Sequence, residues 1–324
     1  MSEVNGIVRL YACGGAGINL TKEWAGDVQV EPGVANVKPC YVDTSRVNLI
    51  PGIDESNSYI LPDLDGSGKV RRENNEAIFS EVPRILLDHA PTEFNVVIFS
   101  ASGGTGSVAG PLIAAELLKR DQNVVVVVVG SDESAITAQN TFNTLKSLDH
   151  IANAQEKPVV MYYIHNEREL KRSEIDKRVR HVLVSLNYLA SRQNKELDTK
   201  DIHHWLNYNK STDLDPSLAL LKVHTDVETC EKESDDAFSL ASVLKNEDEA
   251  HPDLNPAYAC AGYYREGVRN PHNLFFGIET KGLTQILSRL QKLAATNNEH
   301  KTARQQGPSF KSDKDNISKS GLVL

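Results

Sequence analysis

Phe94-Asn95-Val96-Val97-Ile98-Phe99-Ser100-Ala101-Ser102-Gly103-Gly104-Thr105-Gly106-Ser107 runs from an apolar strand into a glycine-rich loop, and an apolar helical stretch follows from Val108 to Lys119. That order matters chemically. A helix N-terminus presents free backbone N–H groups and the positive end of its dipole, and glycines let backbone approach a phosphate without Cβ clashes. The loop is not a Walker A motif, because no Gly-Lys-Ser/Thr follows it.

The same unit recurs outward from this stretch. Ile7 to Ala12 reads as a strand emptying into Cys13-Gly14-Gly15-Ala16-Gly17, with a helix from Ile18. Taken alone, that loop is equally well a tight turn, and it does not complete G-x-G-x-x-G. Val124 to Val129 and Pro158 to Ile164 are further strands, nearly continuous in β-branched and aromatic residues. Two-sided hydrophobicity of this kind suits parallel strands covered by helices on both faces, so the pattern predicts a doubly wound α/β sheet. From Arg172 to Arg192 a long helix carries one stripe of Ile175, Val179, Val182, Leu183, Leu186 and Leu189. Beyond it, short strand-like runs (Ala219 to His224, Leu274 to Ile278) mix with helices, as expected of a smaller α+β domain. A final helix has Leu283, Ile286, Leu287, Leu290, Leu293 and Ala294 on one face, and a polar tail follows Thr296. The expected divisions are 1–172, a central helix 173–194, a second domain 195–296 and a tail 297–324.

Bulk properties narrow the class. The chain has 324 residues, 40% of them hydrophobic and 24% charged, as for a globular protein with a substantial core. A net charge of -9 argues against broad charge-driven nucleic-acid binding. Cys13, Cys40, Cys230 and Cys260 form no C-x-x-C pair, so reduced thiols are expected rather than a zinc site or disulfide framework. No signal peptide or membrane span is visible, and a soluble cytoplasmic protein is the expectation.

Ser102-Gly103-Gly104-Thr105-Gly106-Ser107 resembles the signature loop of the tubulin/FtsZ superfamily, Gly-Gly-Gly-Thr-Gly-Ser-Gly, with Ser102 in place of its first glycine and Val108 of its last. Other loops match in the family's order. Cys13 to Asn19, with Gly14, Gly15 and Ala16, looks like the first phosphate loop, and Val42-Asp43-Thr44 like the second. Gly66-Ser67-Gly68-Lys69 resembles the third, γ-phosphate-sensing loop, although the four residues alone read as an exposed turn. Asn166 and Asp176 fall where the family contacts guanine. A carboxylate there would accept the N1–H and N2 amino donors that adenine does not pair, so the resemblance implies GTP/GDP with Mg2+. Asp176 could instead pair with Arg172 or Arg180 on its helix.

Glu196-Leu197-Asp198-Thr199-Lys200-Asp201 resembles the family's catalytic loop, Asn-x-Asp-x-x-Asp, which enters the nucleotide site of the next subunit. By spacing alone Asp198 is a helix N-cap with Asp201 in the first turn. With the phosphate loops and the long helix upstream, the pair reads as catalytic, orienting a water for in-line attack. His203-His204, with no spaced acidic or thiol partner, reads as a helix face rather than a metal site, and the acidic runs Asp235-Asp236 and Glu247-Asp248-Glu249 read as solvated surface.

Ser107 to Pro111, Glu116 to Arg120 and Asp201 to Asn207 resemble phage-encoded tubulins. The resemblance implies a GTPase that assembles head-to-tail in the cytoplasm of the infected bacterium, positions phage DNA or its replication compartment, and docks its tail on a neighbour. Lys301, Arg304, Lys311, Lys314 and Lys319 outnumber Glu299, Asp313 and Asp315, so docking would use Phe310, Ile317 or Leu322-Val323-Leu324 rather than acidic charge. The alternatives are a dinucleotide-dependent enzyme using Gly14 and Asp43, and a non-hydrolysing tubulin-like structural subunit.

Overall fold

The computed structural model describes residues 5–27, 34–49, 53–166, 171–268, 270 and 272–305. Its first part follows the order β1 (Ile7–Cys13), α1 (Gly14–Asp27), β2 (Asn36–Asp43), β3 (Ser58–Ile60), α2 (Asn75–Asp88), β4 (Phe94–Ser100), α3 (Gly106–Lys119), β5 (Val124–Ser131), α4 (Ala135–Gln155) and β6 (Val159–Asn166). The second comprises α5 (Arg172–Leu189), β7 (Asn194–Lys195), α6 (Thr199–Leu206), β8 (Leu218–His224), α7 (Val227–Glu233), β9 (Ser239–Leu244), β10 (Tyr258–Tyr264), β11 (Leu274–Glu279) and α8 (Lys281–Gln305).

The eleven strands of the described residues form one sheet in the order β3-β2-β1-β4-β5-β6-β8-β11-β9-β10-β7. From β3 to β8 the pairings are parallel; β11 then runs antiparallel to both β8 and β9. The doubly wound parallel part thus passes without a break into the mixed strands of the second part.

The valine-rich strands explain the layering. Along β4, Val96 and Ile98 face one side while Val97 and Phe99 face the other; along β5, Val125 and Val127 oppose Val126 and Val128. One side packs on Ile18 and Trp24 of α1 and on the Ile175, Val179, Val182, Leu183, Leu186 stripe of α5. The opposite side packs on α2, α3, α4 and, through Leu283 and Leu290, on α8. Burying a strand on both faces is what makes it uniformly apolar in sequence.

Helix limits differ from the periodicity at the functional ends. Helices α1 and α3 begin at Gly14 and Gly106, inside the glycine loops: Gly14 takes a φ of +71°, and a Cβ on Gly106 would lie 2.6 Å from the Cys13 carbonyl oxygen. The final helix continues to Gln305, so residues 297–305 of the expected tail are helical. Phe310, Ile317 and Leu322-Val323-Leu324 lie outside the described residues.

Candidate functional site

Strand β1 lies between β2 and β4, so successive units depart to opposite sides of it, and a crevice opens at the carboxyl ends of these strands. There a cavity of about 360 Å³ is lined by Gly14, Gly15 and Ala16, by Asp43, Ser45 and Asn48, by Gly66, Ser67 and Lys69, and by Gly103, Gly104, Thr105 and Gly106. Four segments far apart in sequence therefore share one wall-to-wall space, and two of them are helix N-termini.

Close backbone contact dictates the residue types. Gly14 has φ +71°, and a Cβ on it would lie 2.8 Å from the Gly106 nitrogen. The starts of α1 and α3 consequently touch, and their positive dipole ends converge on the cavity. A Cβ on Gly104 would come 2.0 Å from Ser67 Oγ, so the signature loop and the third loop also meet. Hydroxyls join the loops: Thr44 Oγ1 is 2.7 Å from Thr105 Oγ1, which is 3.2 Å from Ser67 Oγ. Ser107 lies behind the wall, its Oγ donating to the carbonyls of Gly103 and Gly104 at 2.6 and 3.0 Å.

Asp43 is buried at the cavity wall. Burial raises its carboxyl above the ordinary carboxylate value, opposed by hydrogen bonds from Asn48 Nδ2 (2.8 Å) and the Thr44 amide (2.7 Å). Asn48 and Ser45 escaped the sequence reading, since they belong to a single 3-10 turn, Arg46–Asn48 capped by Ser45, that carries no motif. Asn140 and Asn74 escaped it too; their amides donate to the Lys69 and Gly66 carbonyls at 2.9 and 2.7 Å. Arg71 donates to the Ser107 carbonyl at 3.1 Å. That carbonyl is free because its helical partner four residues on is Pro111, which has no N–H.

Six predicted residues do not line this cavity. Gly68 is exposed on the third loop, Ser102 is buried behind the signature loop, and Ser107 is placed as above. Asn19 is exposed on α1, where its Oδ1 accepts from Lys22 at 2.9 Å. Asn166 ends β6 at the same sheet edge and donates to Glu133 at 3.0 Å. Asp176 is exposed on α5; Arg180 approaches Glu23 at 3.9 Å instead of Asp176.

Asp198 and Asp201 stand elsewhere. Asp198 caps α6, accepting from the amides of Lys200 and Asp201 at 2.7 and 3.0 Å, and Asp201 Oδ2 accepts from the Asp198 amide at 2.9 Å. These backbone donors, the Asp201 amide first, hold the Asp198 carboxyl below its ordinary value. Trp205, fully buried, ties the helix down by donating to the Phe276 carbonyl at 3.1 Å. His203 lies on a partly buried face of α6. Its Nδ1 is 2.8 Å from Asn123 Oδ1, and Lys210 donates to its Nε2 at 2.9 Å. This is the neutral imidazole, with its pKa lowered by burial and then by Lys210.

The two sites mark opposite ends of the same strands. Cys13 and Ser100, the last residues of β1 and β4, border the glycine-lined cavity. Ile7 and Phe94, the first residues of those strands, border a separate cavity of about 270 Å³ with Asp198, Thr199 and Ile202. At about 3.3 Å per residue the separation is about 20 Å.

A glycine-loop crevice between two helix starts, followed by a long helix and a capped carboxylate pair, defines a tubulin/FtsZ-type fold. A phage tubulin-like protein of Pseudomonas phage PhiPA3 is 32% identical over 226 residues, covering 69% of this chain and 68% of that protein. Another from Pseudomonas phage phiKZ is 26% identical across the whole chain, covering 99% of its own length. The chain superposes on the protofilament of TubZ from bacteriophage PhiKZ with a TM-score of 0.86 at 26% identity, covering 98% of this chain and 99% of that one. It shares its fold with the phage tubulin PhuZ bound to GDP, TM-score 0.87 at 22% identity, covering 98% and 99%. No protein-family model matches the chain. The chain belongs to the phage tubulin-like proteins of the tubulin/FtsZ superfamily.

Proposed function

We propose that the chain is a GTP-binding, GTP-hydrolysing cytoskeletal subunit that polymerises head-to-tail, with each active site completed by the neighbouring molecule. One observation carries this reading: the phosphate-type cavity and the carboxylate pair sit at opposite ends of β1 and β4, about 20 Å apart. Within one molecule Asp198 and Asp201 do not reach that cavity. Stacked along the strand direction, they face the next subunit's cavity. Solved relatives described as a TubZ protofilament and a PhuZ filament support the stacking, and the GDP-bound PhuZ supports the nucleotide.

The amides at the starts of α1 and α3 bind the phosphates, with Asn19 on the first phosphate loop's helix, while Asn166 and Asp176 form the base side. The cavity fits Mg2+ in one respect: Asp43 is a wall carboxylate, and most of the coordination of such an ion comes from phosphate oxygens and water. When bound, the ion neutralises charge developing on the phosphates. Asp198 and Asp201 orient the attacking water, and the amides of the glycine loops hold the phosphoryl oxygens. Among the described residues no helix is long and apolar enough to cross a membrane. We place the filament in the infected host's cytoplasm, positioning phage DNA or its replication compartment without binding nucleic acid directly, with the chain's tail docking on a neighbour.

Light scattering and phosphate release, followed against protein concentration with GTP or ATP, test the reading. Hydrolysis of GTP alone, appearing above a critical concentration, is expected; concentration-independent hydrolysis overturns it. Asp201→Ala should bind GTP and assemble while releasing phosphate about a hundredfold more slowly. Wild-type turnover in that variant removes Asp201 from catalysis, and assembly of the wild type without hydrolysis leaves a purely structural subunit.

A further inference from the structure

Asn140 lies in α4, outside every glycine loop, and is 7% exposed. Its Nδ2 is 2.9 Å from the Lys69 carbonyl, 3.2 Å from that of Ser102 and 3.4 Å from that of Gly103. A side-chain amide has two hydrogens. One serves the third loop and the other the signature loop, so a single buried group spans two walls of the cavity.

The third loop needs such a tie. Gly66, Gly68 and Lys69 have φ of +80°, +52° and +65°, and the left-handed backbone is unfavourable for a lysine. Conformations of this kind persist where their surroundings impose them. Here the Lys69 carbonyl is held by Asn140, and the segment beyond it by Arg71, which reaches Ser107 of α3 at 3.1 Å and Ser147 of α4 at 3.4 Å. On the cavity side, Ser67 Oγ bonds Thr105 Oγ1 at 3.2 Å. Ser67 thus stands against Gly104, with α4 bracing both loops from behind.

We infer that Asn140 is a positioning residue for the nucleotide's terminal phosphate. It holds the third loop against the signature loop and so fixes the gap in which that phosphate lies. The inference rests on the cavity being the GTP site. The choice of the γ-phosphate rests further on the third loop's likeness to a γ-phosphate-sensing loop, which Asn140 ties to the signature loop while making no bond to the Gly14 loop.

The test uses the full chain below its assembly concentration, titrated with fluorescent GDP and with a slowly hydrolysed GTP analogue. Asn140→Asp puts carboxylate oxygens against the loop carbonyls, and Asn140→Ser leaves a hydroxyl too short to span both loops. Either variant should lose about tenfold in affinity for the triphosphate, the scale of a hydrogen bond or two, with GDP affinity unchanged within about twofold. Asn153→Ala, on the exposed face of the same helix and with its side chain bonded only within it, should alter neither. Equal losses for both nucleotides, or no loss, overturn the inference, and the serine variant supplies that answer if the aspartate variant does not fold. A wild-type chain that binds neither nucleotide overturns the GTP-site reading and this inference with it, and is recognised before any variant is made.

Discussion

The two ends of β1 and β4 are built from different materials. At the carboxyl ends, backbone makes the site: glycine amides, two touching helix starts, and a Gly14 whose φ of +71° and 2.8 Å approach to Gly106 admit no side chain. At the amino ends, side chains make it: two carboxylates on α6, locked to each other's backbone. A backbone-built site demands particular residue types at consecutive positions and writes a motif into the sequence. A side-chain site leaves only a spacing, and the Asp198/Asp201 spacing is also that of a helix cap.

The largest effect should come from breaking the backbone-built end. Gly14→Ala combines left-handed strain with a clash against Gly106, and GTP affinity should fall about a hundredfold in a fluorescent-nucleotide titration. The stronger use of that variant is mixing. Gly14→Ala retains its carboxylates and Asp201→Ala retains its cavity, so neither alone should release phosphate at the wild-type rate, yet their mixture should regain activity at hybrid contacts. No recovery on mixing would place both halves of the site in one molecule.

A smaller effect is expected at the cap. Asp198→Ala should cost about 1 kcal/mol in urea unfolding, as for other N-caps. The Asp198 carboxyl is held below its ordinary value by backbone amides, so its contribution is present above about pH 4 and is lost as the pH falls through the folded value. The gap between wild type and variant should therefore close in acid. Smallest is Asp121→Asn, beside the His203 contact. Lys210 first, then Lys157, pull Asp121 down to about 2, but its side chain is 53% exposed. After allowance for solvent screening the loss should stay below about 0.5 kcal/mol, present above about pH 4 and vanishing towards pH 2.

This contrast also explains what could be read in advance. The parallel strands, the α5 stripe and the signature loop were legible because two-face burial and glycine geometry leave few residue choices. The starts of α1 and α3 inside the loops were not, since glycine is a poor helix former by local propensity and tertiary contact overrides it. Asn48, Asn140 and Arg71 carried no signal. Their roles depend on carbonyls brought near by folding, in one case on a carbonyl left free by Pro111, and only the assembled helices reveal them.

The length of β1 has a consequence for the ends of a filament. If carboxylates serve only the cavity of the next molecule, each strand of stacked molecules would hold one fewer working site than it has members. On that reading the member whose cavity faces solvent would have nothing opposite it and would keep its triphosphate. One tip would then differ from the other without any capping factor, because the two halves of the site stand at opposite ends of a seven-residue strand.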